Sequence, residues 1–504
     1  MKALLKTLKS MNFCKLVSLL LFLAPLHLLA ETSPDVTFSK DIAPLIFNNC
    51  TECHRPNTAA PFNLMSFKDV FKRAKTILNV IEEKYMPPWH PVKGHGSFQD
   101  ERGLSKEQIG LFSKWIDLGK PLGNESEIPS LPTYADGWEL GEPDLIVKMP
   151  RGYQVKADGR DIYRNFTIPL ALKEDKWIKA ISIQPSARAV VHHCLYFYDT
   201  SGTGRKLDGI DGIPGFKDGK IKKKVSLGGW AVGAESKKLP KDYSILLPKG
   251  ADLILSTHFH PSGKPETEQT TIGLYFSDQP SSRQVTELQV PGFFGRLSGL
   301  NIPAGESNYL LKGTLTLPMD VEILTASAHM HYLGTSAKGW ATLPNGEVKD
   351  LLYIDEWDFN WQGQYYYKTP LFLPKGTFIE TEITYDNSEN NPFNPFHPPR
   401  NVKWGLQSED EMGSLIYNII PHHEKDNPHI EKAIQASIYQ GSITYDYMIE
   451  RLDKNKNGSL QISEFPKKFK KQLVKNDLNK NGTLEKNEIK RIQPRLNNAL
   501  SKLL

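Results

Sequence analysis

The sequence predicts a multidomain chain: a small all-α domain, two antiparallel β-sandwich (jelly-roll-like) domains, and an α-helical pair. Three observations carry this. Apolar residues recur at helical spacing between residues 66 and 117 and alternate at strand spacing between residues 140 and 422. Helical texture then returns around two Asp/Asn-rich loops after residue 440. A chain of 504 residues can fill about three or four domains with ordinary hydrophobic cores.

In chain order, the first segment reads as a leader. Residues 1–30 hold Lys2, Lys6, Lys9 and Lys15 without an acid, then an apolar run from Leu16 to Ala30 and polar Glu31-Thr-Ser-Pro. The run is short for a membrane span, so it is read as a signal peptide cleaved near Ala30. An uncleaved anchor is the other reading, because Leu28 is larger than cleavage prefers. The mature chain is expected to be periplasmic or secreted, with no membrane span.

The leader also accounts for part of the charge. The total is +5, from 62 Lys+Arg and 57 Asp+Glu, but residues 1–30 contribute +4, residues 424–504 contribute +6, and the body between them is −5. A mildly acidic body gives no footing to the nucleic-acid reading that the basic total invites.

Beyond the leader the thiols are Cys50, Cys53 and Cys194. Cys50-Thr-Glu-Cys53-His54 is the c-type haem attachment pattern, in which two thiols form thioethers and the adjoining His ligates iron. A redox dithiol or zinc half-site is the other reading, and no second Cys/His pair is in view for it. A helix is expected over 66–85, with Val70, Ala74, Ile77 and Ile81 on one face. Another begins at the capping box Ser105-Lys-Glu-Gln108 and buries Ile109, Phe112, Trp115 and Ile116. Between them Met86-Pro-Pro-Trp89 stiffens a loop, making Met86 the chosen sixth ligand ahead of Met65, His90 and His95. Residues 36–123 thus resemble a small helical cytochrome c domain.

In the β region most histidines fall in three motifs: His192-His193, His258-Phe-His260 and His329-Met-His331. Residues two apart in a strand share a face, so His329 and His331 can reach one metal. Adjacent His192 and His193 cannot without a strand end or bulge. Each motif alone reads as a hydrogen-bonded sheet histidine; three together point to metal. Imidazole suits copper, zinc and iron alike, and a Met ligand would favour copper.

These residues resemble the copper type II ascorbate-dependent monooxygenases, the family of peptidylglycine α-hydroxylating and dopamine β-monooxygenases. The resemblance rests on Val191-His192-His193, His258-x-His260-Pro, His329-x-His331-x-Leu333-Gly334 and Gln407-Ser-Glu-Asp-Glu-Met412, in order across roughly 140–422. With Met-Pro-Pro-Trp upstream, the chain is similar to bacterial haem-linked members. The resemblance implies two facing antiparallel sandwiches, residues 140–290 and 291–422, that bind two copper ions. It implies an electron-transfer copper at His192, His193 and His258, and an oxygen-binding copper at His329, His331 and Met412. His260 has no ligand role by it. The Arg and Tyr that hold a substrate carboxylate in peptide-amidating members are replaced by Ser327 and Ile416, so a glycine-extended peptide is not expected. Cys194 reads as a small buried hydrophobe, or as a sulfur neighbour of the copper site.

Within residues 440–495, two loops match the 12-residue EF-hand pattern. One presents Asp453, Asn455, Asn457, Ser459, Gln461 and Glu464; the other Asp477, Asn479, Asn481, Thr483, Glu485 and Glu488. Gly458 and Gly482 occupy the sixth positions. An EF-hand pair binding calcium is expected.

The functional expectation is an exported monooxygenase that uses O2, copper, haem c and calcium to hydroxylate an unidentified small-molecule or peptide substrate. Electrons from an external donor would arrive through the haem. The alternative is a non-catalytic haem/copper electron-transfer or copper-handling protein.

Overall fold

The structure, a computed structural model, describes residues 35–491 except 57, 59, 135–136, 218–220, 222–223, 232–235, 237, 240–242, 279–282, 443–444, 466 and 490. The leader read at residues 1–30 lies outside the described residues. No helix among the described residues is long and apolar enough to cross a membrane.

The first helices follow from local chemistry. A π-helical turn, Phe38–Ile42, runs into the helix Ala43–Asn49. The helix Phe67–Glu82 starts where Ser66 accepts the N–H of Asp69, and it buries Val70, Ala74, Ile77 and Ile81. The helix Lys106–Asp117 opens on the Ser105/Gln108 capping box and buries Phe112 and Trp115. These faces close a core with Phe38, Ile42, Ile46 and Leu64.

Two pairs of four-stranded antiparallel sheets follow. In the first pair, one sheet has the spatial order Ile162–Pro169, Asp252–Phe259, Val191–Asp199, Lys224–Ala231. Its companion has the order Leu145–Lys148, Thr271–Phe276, Lys176–Gln184, Ile245–Leu247. Alternating residues from both, among them Phe166, Ile183, Leu253, Leu255, Ile272 and Leu274, form a common core. The second pair sets Thr286–Val290, Gly413–Pro421, Val321–Met330, Gln364–Leu373 against Tyr309–Thr316, Phe378–Tyr385, Gly334–Thr342, Val348–Ile354. Its core includes Ile323, Leu352, Ile383 and Tyr417.

The expected fold class is corrected here. Among the described residues strand outweighs helix, 33% to 21%, and no separate small all-α cytochrome domain is evident among them. The chain between the second and third helices leaves them and closes two sheet edges. Pro91 bridges Ile354 and Phe98 bridges Tyr367. Val92 N–H donates to Tyr353 O at 2.8 Å, and Gln99 N–H to Tyr366 O at 2.7 Å. The strands Val348–Ile354 and Gln364–Leu373 are edge strands, whose outer backbone groups need partners, and residues 91–99 supply them. Phe98 is buried in the core of the second sheet pair. Leu297 lies in the same apolar cluster as Tyr447, Met448, Phe465 and Phe469, around the two Asp/Asn-rich loops.

Candidate metal centres

The strand Val191–Asp199 pairs with Asp252–Phe259 through a register shift between Val191 and His193. This is the irregularity an adjacent ligand pair requires, because a bulge lets neighbouring side chains turn to one side. His193 then lies opposite His258 in the ladder. His192 Nδ1 is 3.0 Å from His193 Nδ1 and 3.2 Å from His258 Nδ1. A tetrahedral ion bound at about 2.0–2.1 Å would hold such nitrogens about 3.3 Å apart, so the spacing fits a metal.

Burial, then the neighbouring His258, holds the His192 imidazole at about 3, and burial pushes His193 far below its ordinary range. Both present neutral nitrogens, as ligation requires. The far side of His258 is fixed by Asp161: Nε2 lies 2.8 Å from Oδ2, while Oδ1 is 2.8 Å from Nδ1 of exposed His260. Burial favours protonation of Asp161, but its bonds to His258 and His260 outweigh that and hold it at about 2. A carboxylate there keeps the proton on Nε2 and leaves Nδ1 with a free lone pair, turned towards His192. Tyr163 stacks on His258 at 4.2 Å.

The second group uses the opposite nitrogens. His329 Nδ1 is 2.7 Å from Gln362 Oε1, and His331 Nδ1 is 3.0 Å from Asp410 O. Both partners accept, so Nδ1 carries the proton and Nε2 the free lone pair. The rings sit 5.3 Å apart. Burial lowers His329 and brings His331 to about 3. In the ladder His329 faces Ser414 and Met330 faces Gly413, so buried Met412 occupies the next position, across from His331. Glu411, fully buried, accepts the N–H groups of His331, Leu333 and Met412 at 2.9, 2.6 and 3.1 Å. Burial raises its carboxyl to about 8 despite those donors.

One ring joins the groups. Phe359 stacks on His192 at 5.1 Å and meets His331 edge-on at 6.0 Å. Ser408, four residues before Met412, donates to Asp161 Oδ2 at 3.2 Å. A cavity of about 160 Å³, walled by Trp89, Tyr196, Trp230 and Trp361 together with Asp100 and Arg102, reaches Gln362, the partner of His329. Ser327 and Ile416 are direct cross-strand partners. Their side chains therefore fall on one uncharged spot.

Cys50 ends the first helix, Cys53 lies in the turn after it, and His54 N–H bonds back to Cys50 O at 2.9 Å. His54 Nδ1 is 3.0 Å from Phe62 O, which places the proton on Nδ1 and the lone pair on Nε2. Burial, then Cys53, pushes Cys50 up to about 12, and burial raises Cys53. Met86 is half-buried with its N–H on Val80 O. Cys194 is buried and its thiol is pushed up by burial, as an inert core residue would be.

Both Asp/Asn-rich loops are wound inward on their first Asp. Gly458 N–H donates to Asp453 Oδ2 at 2.7 Å, and Gly482 N–H to Asp477 Oδ2 at 2.9 Å. Asn455, Asn457, Asn479 and Asn481 remain exposed. The loops pair through Leu460–Gln461 and Thr483–Leu484. Glu464 and Glu488 are buried at the loop ends, where each caps backbone N–H groups near its loop start.

Sequence alone assigns no role to Asp161, Phe359, Gln362 or Glu411. Only Glu411 lies inside a quoted motif; the others come from loops and strand ends far along the chain.

No protein-family model and no curated protein matches the chain. Among solved structures it has a likeness to peptide-N(4)-(N-acetyl-β-D-glucosaminyl) asparagine amidase, 12% identical over 55% of this chain and 96% of that one, TM-score 0.25. A recombinant peptide:N-glycanase F gives 12%, 55%, 95% and 0.24. The VP2 subviral particle of infectious bursal disease virus gives 10%, 60%, 76% and 0.17. Likenesses at these scores carry no argument about family or activity.

Proposed function

We propose that the protein is an exported copper- and O2-dependent monooxygenase that hydroxylates a small organic substrate, with electrons delivered through a haem on Cys50, Cys53 and His54. The observation that carries this is the pair of unlike histidine groups one aromatic ring apart, one offering three Nδ1 atoms and the other two Nε2 atoms with Met412 alongside. Copper at these groups would supply one-electron chemistry with O2; a thioether beside two imidazoles favours its reduced form.

The residues divide the remaining work. Asp161, Gln362 and the Asp410 carbonyl fix which nitrogen of each imidazole faces the metal. Glu411 ties the loop of Met412 to the end of the strand that carries His329. Phe359 packs between the groups, against His192 on one side and His331 on the other. The uncharged Ser327–Ile416 spot offers a substrate carboxylate no cationic partner, which favours a small uncharged substrate. The EF-hand loops are read as calcium sites.

The test is O2 uptake by copper-loaded, haem-bearing protein, with a reductant and a panel of small uncharged compounds. Uptake that requires both copper and a compound supports the reading. Two bound coppers without compound-dependent uptake would favour a plain electron carrier.

A further inference from the structure

Phe293 and Phe294 are consecutive, neither is glycine, and both hold left-handed backbone, at φ 55° and 54°. Side chains rarely accept this conformation, and it persists only where surrounding contacts over-determine it. Those contacts come from two directions. Towards the calcium loops, the Phe293 ring lies 4.8 Å from Tyr439 of the helix Ile430–Ser442. Gly292 N–H donates to Ser442 Oγ at 2.8 Å, and a Cβ on Gly292 would lie 2.0 Å from Ile438. Leu297 joins the cluster containing Leu460 and Leu484, residues of the paired calcium loops themselves. Towards the second histidine group, the Phe294 ring stands edge-on to His329 at 5.1 Å and 76°. The Phe294 carbonyl accepts Trp404 Nε1–H at 3.0 Å.

We infer that Phe294 is a positioning residue for His329, held in place from the calcium-loop pair through Phe293 and Leu297, so that calcium occupancy tunes the second metal centre. This rests on reading both regions as metal sites. Calcium draws the oxygen ligands of each loop together and consolidates the cluster that anchors Leu297. Loss of calcium loosens that anchor, lets the strained pair relax, and withdraws the ring from one face of His329. The other side of His329 stays with Gln362, so metal binding weakens without disappearing.

The test uses the full chain loaded with Cu(I), with and without Ca²⁺, read by chelator competition and by X-ray absorption. The copper–sulfur contribution of Met412 distinguishes the second centre from the first. Ca²⁺ is expected to tighten that copper about 5- to 10-fold and to sharpen the copper–sulfur signal. By reciprocity, copper should tighten Ca²⁺ by the same factor. Phe293→Gly, which accepts the backbone and removes the ring, should keep both metals and bring the factor close to one. Tyr439→Leu should do the same by removing the tilted ring that Phe293 packs against, and serves if the first variant fails to fold. Calcium that binds without moving the copper overturns the inference and leaves both site readings standing. Absence of calcium binding overturns it together with the calcium reading, while copper loading continues to test the monooxygenase separately.

Discussion

Asp161 Oδ2 lies 2.8 Å from Nε2 of His258, on the side of the imidazole away from the three converging Nδ1 atoms. The carboxylate thereby selects the tautomer that presents Nδ1. Asp161→Asn removes the charge and makes that selection ambiguous. Copper affinity at the first group should fall about 10- to 100-fold, measured by chelator competition. His260→Ala, which touches only the other carboxylate oxygen, should cost far less. Equal losses in the two variants would contradict this role.

Glu411 accepts three backbone N–H groups with two carboxylate oxygens. Above about pH 8, where burial no longer keeps the carboxyl protonated, Glu411→Gln keeps the shape but has one accepting oxygen, leaving buried donors poorly paired. A loss of about 1–3 kcal/mol in denaturant stability is expected, together with weaker copper at the second group. Unchanged stability would show that the loop does not depend on these bonds.

The buried imidazoles set a pH dependence. His192 and His331 are held at about 3 by burial, against about 6.5 in the unfolded chain. Between these values the unfolded state binds protons that the folded state does not, so stability is fully present above pH 6.5 and falls as pH drops towards 3. Each imidazole adds a slope of up to about 1.4 kcal/mol per pH unit in that window. Denaturant midpoints of the metal-free protein should fall steadily from pH 6.5 to 4. A flat profile would mean that these rings are protonated in the folded protein.

Much of the first group was legible because its chemistry is local. Adjacent His192 and His193 demand an irregular strand, and the shift at Val191/His193 provides it. The runs Trp177–Ile183 and Thr271–Phe276 announce strands by alternation. What sequence could not show depends on distant partners. Asp161 and His258 are 97 residues apart, and Phe359 sits in a loop without periodicity. The fold class failed for a related reason: residues 91–99 pair through isolated bridges to strands about 260 residues away, a contact that leaves no repeat in either segment.

Covalent haem attachment gives a separate check. Expressed with c-type maturation, the protein should keep haem through denaturing electrophoresis, and Cys50→Ala with Cys53→Ala should lose it. His54→Ala should keep the thioethers but change the visible spectrum, because the free Nε2 is gone. Haem that dissociates on denaturation of the unaltered protein would contradict the assignment.

The central claim is that haem electrons reach O2 through a copper held by His329, His331 and Met412. Its most direct measurement is reoxidation of reduced haem by O2 in copper-loaded protein and in Met412→Ala, with the copper-free protein as reference. The account predicts fast, copper-dependent reoxidation that slows at least about 10-fold in the variant, equivalent to about 1.4 kcal/mol in the barrier. Reoxidation that proceeds without copper, or at the same rate in Met412→Ala, would contradict it.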